Sequence, residues 1–344
     1  MQAHELLRPT PAGLYCPPGD FYIDPVKPVP RALITHGHSD HARAGHGAVL
    51  ATPQTLAIMS LRMGDEFTGS RQPAAYGEEL TINEVAVRFA PAGHVLGSAQ
   101  IRVSYRGQRI TVSGDYKREA DPTCAPFEVL PCDIFISEAT FGLPVFRHPP
   151  AGEEIAKLLH SLALFSDECH LVGAYGLGKA QRLLALLRQA GYHETIYLHG
   201  ALVKLCAFYQ AEGIALGPLA AVSETERGDF AGKLVLCPPG SLNDAWSRRF
   251  AQHKTCFASG WMRIRARARQ RGVELPLIIS DHADWDDLTR TILETGCHTL
   301  WVTHGQEDAL VHWARQQGLN AAPLRLVGYG DEDDDDHARS GGET

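Results

Sequence analysis

The sequence predicts an α/β fold with a strand-rich part and a middle part in which helices and strands alternate. In the first 145 residues, short apolar runs rich in β-branched residues predominate, and stretches with helical spacing are few. Between about residues 150 and 255, stretches with helical spacing alternate with apolar runs, which is typical of a parallel, doubly wound sheet. After residue 256, strand-like runs return on either side of one helical stretch.

In the first part, "RALIT" (31–35) predicts a strand that ends where a histidine-rich loop begins. The stretch "ATPQTLAIMSLRMG" (51–64) has helical spacing. Residues 85–117 alternate like successive strands, with "YRGQR" as a hairpin turn, and "CDIFISEATFG" (132–142) is a further apolar strand. Polar residues with ligand chemistry therefore fall at strand ends, where loops usually carry function.

The middle part, between about residues 150 and 255, has three predicted helices and three predicted strands in alternation. The helices are "EEIAKLLHSLALFS", "GKAQRLLALLRQAG" and "ALVKLCAFYQAEG", and the strands are "CHLVGAY", "TIYLHG" and "GKLVLCPPG". Strand-like "LPLIIS", the helix of "DHADWDDLTRTILETG" and strand-like "TLWVTHG" follow.

Composition indicates a globular protein in a reducing compartment. The 344 residues are 44% hydrophobic and 21% charged, and the sequence has neither an 18-residue apolar run nor a secretory signal. The eight cysteines are scattered without a CxxC pair, so we expect buried, reduced thiols. The chain is therefore predicted to be cytoplasmic, with no membrane partner.

The net charge of −8 is concentrated at one end of the chain. Residues 331–344, "DEDDDDHARSGGET", hold seven acids against one arginine, which leaves about −2 for the rest. Such a segment is typical of a solvated, disordered tail, and we assign it no function. The remaining body is close to neutral, which is compatible with a polyanionic partner.

The histidine-rich loop predicts a metal site. His36, His38, Asp40 and His41 form the pattern HxHxDH. In an extended loop, alternate residues point to one side, so His36 and His38 can converge on one ion while the other two reach a second ion. Imidazole nitrogen and carboxylate oxygen suit zinc and similar divalent metals. His46 falls outside the pattern and is expected to be an ordinary surface histidine.

The four residues of HxHxDH are too few to coordinate two metal ions, so further ligands must come from elsewhere in the chain. His94 in "APAGHVLGSAQ" and Asp115 in "VSGDYKRE" both lie at predicted strand ends beside glycine or turn residues. Either residue alone is as well explained by a structural role. Their order after HxHxDH favours a ligand role.

With these residues, the sequence resembles the metallo-β-lactamase superfamily, whose motifs run as an early Asp, HxHxDH, a separate His and a separate Asp. Asp24 in "FYIDPVKP" matches the early Asp. The stretches "ISEATFG", "VGAYGLGKAQR", "SDHAD" and "WVTHGQED" look like the additional motifs of the β-CASP nucleases, and most closely those of the bacterial ligase-associated DNA exonucleases.

The resemblance implies an αββα sandwich with an inserted β-CASP-type α/β domain. Residues 1–150 and 256–330 would form the metallo-β-lactamase domain, residues 151–255 the insert, and residues 331–344 the acidic tail. It also implies two zinc ions, with manganese as the alternative. One ion is implied to bind His36, His38, His94 and Asp115, and the other Asp40, His41 and His304, with Asp115 bridging and Asp24 orienting the histidine loop.

The resemblance further implies that Glu138 and His282 are a hydrogen-bonded acid and histidine beside the metals. Two metal ions can clamp the oxygens of a phosphodiester and supply an ionised water as nucleophile. His282, oriented by Glu138, would then protonate the leaving oxygen, with Asp40 also counted among the catalytic residues. The alternative for His282 is a helix cap or core histidine before "WDDLTRTILETG".

Two weaker signals concern substrate binding. "GAYGLGKA" (173–180) nearly spells a P-loop, but Ala180 replaces the magnesium-binding hydroxyl, so Lys179 is either a phosphate contact or part of a plain strand-to-helix turn. Residues 246–271 concentrate basic side chains around tryptophans, which suits a single-stranded nucleic acid but also a solvated helix face. The predicted contacts are Arg248, Arg249, Arg263, Arg265 and Trp261.

The favoured function is two-zinc exonucleolytic trimming of single-stranded or duplex DNA ends, in a pathway shared with a DNA ligase and a helicase. His304 keeps an RNA 3′-end processing nuclease open, because RNA-acting members carry histidine there and many DNA-acting eukaryotic members carry valine. A catalytically silent nucleic-acid-binding scaffold is a further alternative, which the full ligand set disfavours. A small-molecule lactamase-type hydrolase is disfavoured by the insert and the basic stretch.

Overall fold

The structure is a computed structural model that describes residues 3–224, 230–250 and 252–326. The predicted acidic tail at 331–344 lies outside the described residues. Contacts between Cα atoms divide the chain into two compact units, one formed by residues up to Arg147 together with those from His282 onward, and one formed by His148–Asp281.

The strands of the described chain are numbered in sequence order. They are β1 (Arg8–Thr10), β2 (Gly13–Cys16), β3 (Phe21–Ile23), β4 (Arg31–Leu33), β5 (His46–Ala51), β6 (Thr68–Pro73), β7 (Glu79–Ile82), β8 (Val85–Pro91), β9 (Ala99–Tyr105), β10 (Gln108–Val112), β11 (Ile134–Ala139), β12 (Cys169–Gly173), β13 (Ile196–Leu198), β14 (Leu219–Ala221), β15 (Leu234–Cys237), β16 (His253–Ala258), β17 (Leu275–Leu277), β18 (Thr299–Gly305) and β19 (Asn320–Pro323).

The α-helices of the described chain are likewise numbered in order. They are α1 (Ala3–Leu6), α2 (Pro53–Met63), α3 (Ala151–Leu164), α4 (Lys179–Gln189), α5 (Gly200–Ala211), α6 (Arg265–Gln270), α7 (Trp285–Glu294) and α8 (Glu307–Gln316). Short 3-10 helices cover Val222–Glu224, Pro239–Leu242, Ser247–Arg249 and Gly260–Arg263. In the described part of the chain, no helix combines the length and the apolar character that crossing a bilayer requires.

The first unit holds two sheets, with strand orders β1-β2-β3-β4-β5-β6 and β19-β18-β11-β10-β9-β8-β7. Alternation along the strands directs every second side chain into the core that the two sheets share. Leu33, Leu50, Ile134 and Ile136 all belong to this one buried cluster, which also takes in Trp301.

The intervening residues of the same strands face outward onto helices. On one side, Ala32 and Val49 pack with Leu56 of α2. On the other, Phe135 and Leu300 pack with side chains of α7 and α8. The layers are therefore helix, sheet, sheet, helix, which confirms the predicted αββα class of the fold.

The predicted "YRGQR" hairpin joins β9 to β10, which pair antiparallel with Tyr105 opposite Gln108. Arg106 and Gly107 both have positive φ, at 47° and 82°. Two successive residues in this region match the twist of a two-residue hairpin turn, and glycine adopts the second position without strain.

The second unit is a parallel sheet of order β14-β13-β15-β12-β16-β17, as the alternation of helices and strands predicts. It reaches beyond the boundary at 255/256 that the sequence predicts. Strand β16 pairs with β12, and β17 pairs with β16, so the chain leaves this sheet only before His282. All eight cysteines are free and all but Cys124 are buried.

Candidate metal centre

The side chains predicted to bind metal lie where strands of the first unit end. The HxHxDH loop follows β4, and His94 lies in the loop between β8 and β9. Asp115 follows β10, and His304 is the next-to-last residue of β18. Each chemical group is thus held at the end of a strand anchored in the core, which fixes its position more firmly than a free loop would.

Four of these side chains form a buried group whose donor atoms all lie within 4.8 Å of one another: His36, His38, His94 and Asp115. His38 Nδ1 lies 3.1 Å from His36 Nε2 and 3.0 Å from His94 Nε2. Asp115 Oδ2 lies 3.4 Å from His36 Nε2. Three imidazole nitrogens and one carboxylate oxygen facing a common point form a donor set that suits a divalent cation such as zinc.

A second group consists of His41, Asp115 and His304. His41 Nε2 lies 3.4 Å from Asp115 Oδ2, and His304 Nδ1 lies 4.0 Å from Asp115 Oδ1. Asp115 is the member common to both groups: its Oδ2 lies 3.4 Å from both His36 Nε2 and His41 Nε2, and its Oδ1 lies 4.0 Å from His304 Nδ1. The cluster as a whole is consistent with a two-metal site.

Asp40, predicted as a ligand beside His41, belongs to neither group. Its Oδ2 lies 3.5 Å from His41 Nε2, while its buried Oδ1 has no hydrogen-bond partner among the described residues. A buried carboxylate oxygen is costly unless a donor or a cation satisfies it. The residues present therefore fit a cation next to His41, with Asp40 close enough to contribute an oxygen.

Burial and the charges of neighbouring side chains together set the protonation states of this cluster. It lowers the pKa of His36 well below its usual range, and the neighbouring His41 lowers it further. Burial also lowers the pKa of His304 to about 4. For Asp115, burial by itself raises the pKa, but His41 and His36 hold it well below its usual range. Neutral imidazoles at His36 and His304 and an ionised carboxylate at Asp115 are the forms that bind a cation. Burial lowers the pKa of His41, but Asp115 and Asp40 outweigh it and hold that pKa well above its usual range, so a metal ion binding there would displace a proton.

Two glycines allow the loops to approach closely enough to form the cluster. Gly93 has φ of 73°, and a Cβ there would collide with the carbonyl oxygen of Lys117. Gly114 has φ of 56°, and a Cβ there would lie 2.8 Å from Cβ of Thr35. The close approach at these glycines lets the loops carrying His94 and Asp115 meet the histidine loop.

The loop that carries His94 is braced by hydroxyl groups that the sequence does not single out. Ser98 Oγ accepts a hydrogen bond from the backbone N–H of His94 at 3.1 Å. The hydroxyl of Thr52 donates to the carbonyl oxygen of Gly97 at 2.6 Å. The only sequence signal for these contacts is a serine four residues after the histidine, which is too common to be specific.

Asp24 lies beside the histidine loop, as predicted. It is buried with φ of 44°, and its carboxylate accepts hydrogen bonds from His41 Nδ1 at 2.8 Å and from the backbone N–H of Thr35 at 2.8 Å. The hydroxyl of Thr35 also donates to Asp24. Thr35 is a residue that sequence reasoning missed, although it directly precedes the motif.

Glu138 and His282 are paired in the first unit. His282 Nδ1 lies 3.0 Å from Glu138 Oε2, and the backbone N–H of Tyr116 donates to Glu138 Oε1 at 2.7 Å. Burial raises the pKa of Glu138, partly offset by His282. The pair lies next to the cluster, because Asp115, Glu138 and His282 also have atoms within 4.8 Å of one another.

Two weaker predictions, for His46 and Trp261, are corrected by the structure, and the two alternatives for Lys179 are compared with its surroundings. His46 is not a surface residue but is 2% exposed, and its Nδ1 accepts a hydrogen bond from Val29 N at 3.3 Å. Trp261 is 7% exposed and covered by the guanidinium of Arg267, 4.0 Å from the ring centroid, so it does not offer a free stacking surface. Lys179 is 5% exposed and forms an ion pair with Asp281 at 2.7 Å. The ion pair favours a structural role for Lys179 over a phosphate contact.

The predicted arginines of the second unit are exposed to solvent: Arg248, Arg249, Arg263 and Arg265. Arg248 and Arg249 lie on the 3-10 helix Ser247–Arg249, Arg263 ends another, and Arg265 begins α6. Residues 246–271 contain no acidic residue. This segment is therefore a locally cationic surface in a chain whose net charge is negative.

A four-layer αββα sandwich with a buried cluster of histidines and aspartate at its strand ends is typical of a class of metal-dependent hydrolases. Comparison with protein families agrees, because the model of the metallo-beta-lactamase superfamily matches residues 23–164. Residues 23–164 thus match the metallo-β-lactamase superfamily, which supports the family that the motifs predict.

The curated relatives are longer proteins named for nucleic acid enzymes. A probable DNA ligase of Opitutus terrae is 30% identical over 318 residues, which cover 90% of this chain and 30% of the relative. Endoribonuclease ysh1 of Aspergillus fumigatus is 37% identical over 215 residues, covering 52% and 24%. Ribonuclease TTHA0252 of Thermus thermophilus is 29% identical over 199 residues, covering 50% and 46%. The chain thus spans less than half the length of these relatives.

A solved structure shares the fold. The crystal structure of a protein of unknown function from Enterococcus faecalis V583 aligns with a TM-score of 0.53, covering 80% of this chain and 75% of that one. At 14% sequence identity, this likeness concerns the fold alone.

Proposed function

We propose that this chain is a two-metal phosphodiesterase that degrades DNA from its ends, an exonuclease acting before ligation in repair. The observation that carries the proposal is that two groups of buried ligands share Asp115. A shared carboxylate would hold two ions close together, and two ions about 3.5–4 Å apart stabilise both the attacking and the leaving oxygen of a phosphate ester. The similarity to a probable DNA ligase over 90% of the chain supports DNA as the substrate.

In this proposal, His36, His38, His94 and Asp115 hold one ion, and His41, His304 and Asp40 hold the other with Asp115 between them. The imidazole-rich donor set favours zinc, with manganese as the alternative. When bound, such ions withdraw charge from the phosphate and activate water for attack. Burial of the protein ligands excludes bulk water and so strengthens their electrostatic contribution.

His282 and Glu138 supply the proton that the leaving oxygen needs. Glu138 accepts from Nδ1, so the opposite nitrogen of the ring, Nε2, is the one available to donate. The side chain of His282 is 15% exposed whereas that of Glu138 is fully buried, so the histidine is the member of the pair that a substrate can reach. The carboxylate orients the ring and stabilises its protonated form.

Substrate binding would use the cationic surface of the second unit. Exposed arginines attract phosphate oxygens without reading sequence, as an end-trimming enzyme requires. The supporting residues are Arg248, Arg249, Arg263 and Arg265; Lys179 and Trp261 are left out because both are buried.

RNA 3′-end processing is the second candidate. His304 lies within 4.0 Å of Asp115 and so belongs to the ligand cluster, and two relatives are named as ribonucleases over about half of the chain. The ligand cluster suits either nucleic acid, because it addresses the phosphodiester rather than the sugar.

Matched DNA and RNA strands of one sequence, labelled at either the 5′ or the 3′ end, separate these functions. Protein stripped of metal and reloaded with zinc or manganese is incubated with single strands and duplexes. We expect progressive shortening of DNA from one end, with Asp115→Asn as the inactive control. Preferential cleavage of RNA would replace the DNA proposal with the second candidate.

The same preparation tests the silent-scaffold alternative. Fewer than one metal ion per chain, together with intact nucleic acid binding and no cleavage, would favour a scaffold. The proposed DNA ligase and helicase partners and the cytoplasmic location stay predictions. Co-purification of the chain with a ligase from its native cells would test the partner prediction.

A further inference from the structure

The buried carboxylate of Asp24 contacts the histidine loop at three points. Its Oδ1 accepts from the backbone N–H of Thr35 at 2.8 Å. Its Oδ2 accepts from the hydroxyl of Thr35 at 2.6 Å and lies 2.8 Å from Nδ1 of His41. His41 belongs to one ligand group, so this carboxylate directly orients one of the proposed metal ligands.

Thr35 extends the same contact to the other ligand group. Its Oγ1 lies 3.0 Å from Nδ1 of His36. A hydroxyl has one proton, and a carboxylate can only accept, so that proton is committed to Asp24. The remaining lone pairs of Oγ1 can then only accept from His36, which requires the proton of His36 to be on Nδ1.

The tautomer determines which nitrogen faces the cluster. With Nδ1 protonated, Nε2 of His36 carries the lone pair, and this atom lies 3.1 Å from His38 Nδ1 and 3.4 Å from Asp115 Oδ2. The contact between His41 Nδ1 and Asp24 likewise places the proton of His41 on Nδ1 and the lone pair on Nε2. His41 Nε2 lies 3.4 Å from Asp115. Both imidazoles therefore present Nε2 to the shared aspartate.

We propose that Thr35 is a positioning residue whose hydroxyl relays the Asp24 carboxylate to His36, so that one buried acid orients a histidine of each ligand group. This inference rests on the proposed two-metal site and assigns Thr35 a role in it. Thr35 contacts His36 directly and reaches the His41 group only through Asp24, whereas Asp24 contacts His41 directly and His36 through Thr35.

The two residues should therefore have different effects on the two metal affinities. Thr35→Val keeps the size and β-branching of the side chain but removes the acceptor for His36. Loss of such an outer contact lowers metal affinity by about 10–100-fold, and here chiefly at the His36 group, which Thr35 contacts directly. Asp24→Asn should weaken both groups, because it changes the acceptor for His41 as well.

Metal-stripped protein titrated with zinc against a chromophoric chelator measures the two affinities. His94→Ala and His304→Ala first assign them, since each removes a ligand from one group only. We expect Thr35→Val to lower the affinity that His94→Ala removes, to leave the other within threefold, and Thr35→Ser to restore it. Thr299→Val is the matched control, because Thr299 Oγ1 likewise lies 2.9 Å from Nδ1 of an adjacent histidine, His298, outside the cluster.

The tautomer itself gives a second readout that does not depend on the variants folding. Nitrogen-15 NMR of the ring nitrogens in the zinc-loaded, unmodified protein should show His36 protonated on Nδ1. Protonation on Nε2, equal zinc affinities in Thr35→Val and the unmodified protein, or failure of Thr35→Ser to restore affinity would each overturn the inference. Fewer than two zinc sites in the unmodified protein would instead overturn the proposed function, and this inference with it.

Discussion

Replacing His282 with alanine tests the proposed proton donor. The side chain is paired through Nδ1 with a fully buried carboxylate and is not one of the seven proposed ligands, so its loss should leave both metal ions bound. Positioned proton transfer contributes about 10²–10⁴-fold to a rate. We therefore expect kcat for DNA to fall by about that factor, which corresponds to about 3–5 kcal/mol of barrier.

Glu138→Gln should show the same defect through the orientation of the ring. Tyr116 N donates to Oε1 of Glu138 at 2.7 Å, and His282 Nδ1 lies closer to Oε2, at 3.0 Å, than to Oε1, at 3.2 Å. A glutamine has one acceptor, so if that oxygen stays with the Tyr116 N–H, the amide NH₂ faces His282 and disfavours its protonated form. kcat should fall with metal content unchanged.

The leaving group gives the decisive assay. A p-nitrophenyl phosphodiester of thymidine releases a stable anion that needs no proton, whereas DNA releases an alkoxide. His282→Ala should therefore lose far less activity on the nitrophenyl ester than on DNA. The control is His312→Ala, which removes an exposed histidine of α8. Equal losses on both substrates, or loss of metal in His282→Ala, would refute proton donation by His282.

Three further experiments test the metal ligands, the role of Lys179 and the cationic surface. His38→Ala and Asp115→Ala should each abolish cleavage together with bound metal, as measured by elemental analysis, and retained cleavage in either would remove the two-metal proposal. Lys179→Met should lower stability to urea by about 3 kcal/mol, because it leaves one partner of a buried ion pair, while KM for DNA stays unchanged. A raised KM at normal stability would restore the phosphate role. Arg263→Ala with Arg265→Ala should weaken single-strand binding and reduce its salt dependence by about two phosphate contacts. An unchanged salt dependence would place the nucleic acid elsewhere.

Much of the fold could be predicted because it depends on local pattern. Alternation in β8, β9 and β10 and the turn residues between them specify the hairpins within the sequence itself. The sequence does not predict that β16 and β17 belong to the sheet of the second unit, because "KTCFASGWM" does not reveal its pairing partner. Strand β16 pairs with β12, more than 80 residues earlier, and only that long-range contact assigns it to the second unit.

The residues of the candidate site also divide into those that the local sequence predicts and those that depend on contacts distant in sequence. Imidazoles and carboxylates can be predicted from spacing, because a metal needs these groups whatever surrounds them. Thr35 and Ser98 could not be predicted, because a hydroxyl matters only through its neighbours in space. Burial of Trp261 and Lys179 likewise depends on Arg267 and Asp281, which no local pattern pairs with them.

The position of His304 depends on an irregularity that periodicity cannot predict. Strands β11 and β18 pair in register from Ile134 to Ser137, but the next pairing joins Ala139 to Gly305, so β18 has one extra residue. His304 has φ of 56°, and a Cβ on Gly305 would collide with the carbonyl oxygen of Ala139. A β-bulge of this kind turns a side chain out of the regular alternation of its strand. The bulge accounts for a strand-end histidine reaching within 4.0 Å of Asp115, and it makes glycine after His304 as necessary to the cluster as the histidine itself.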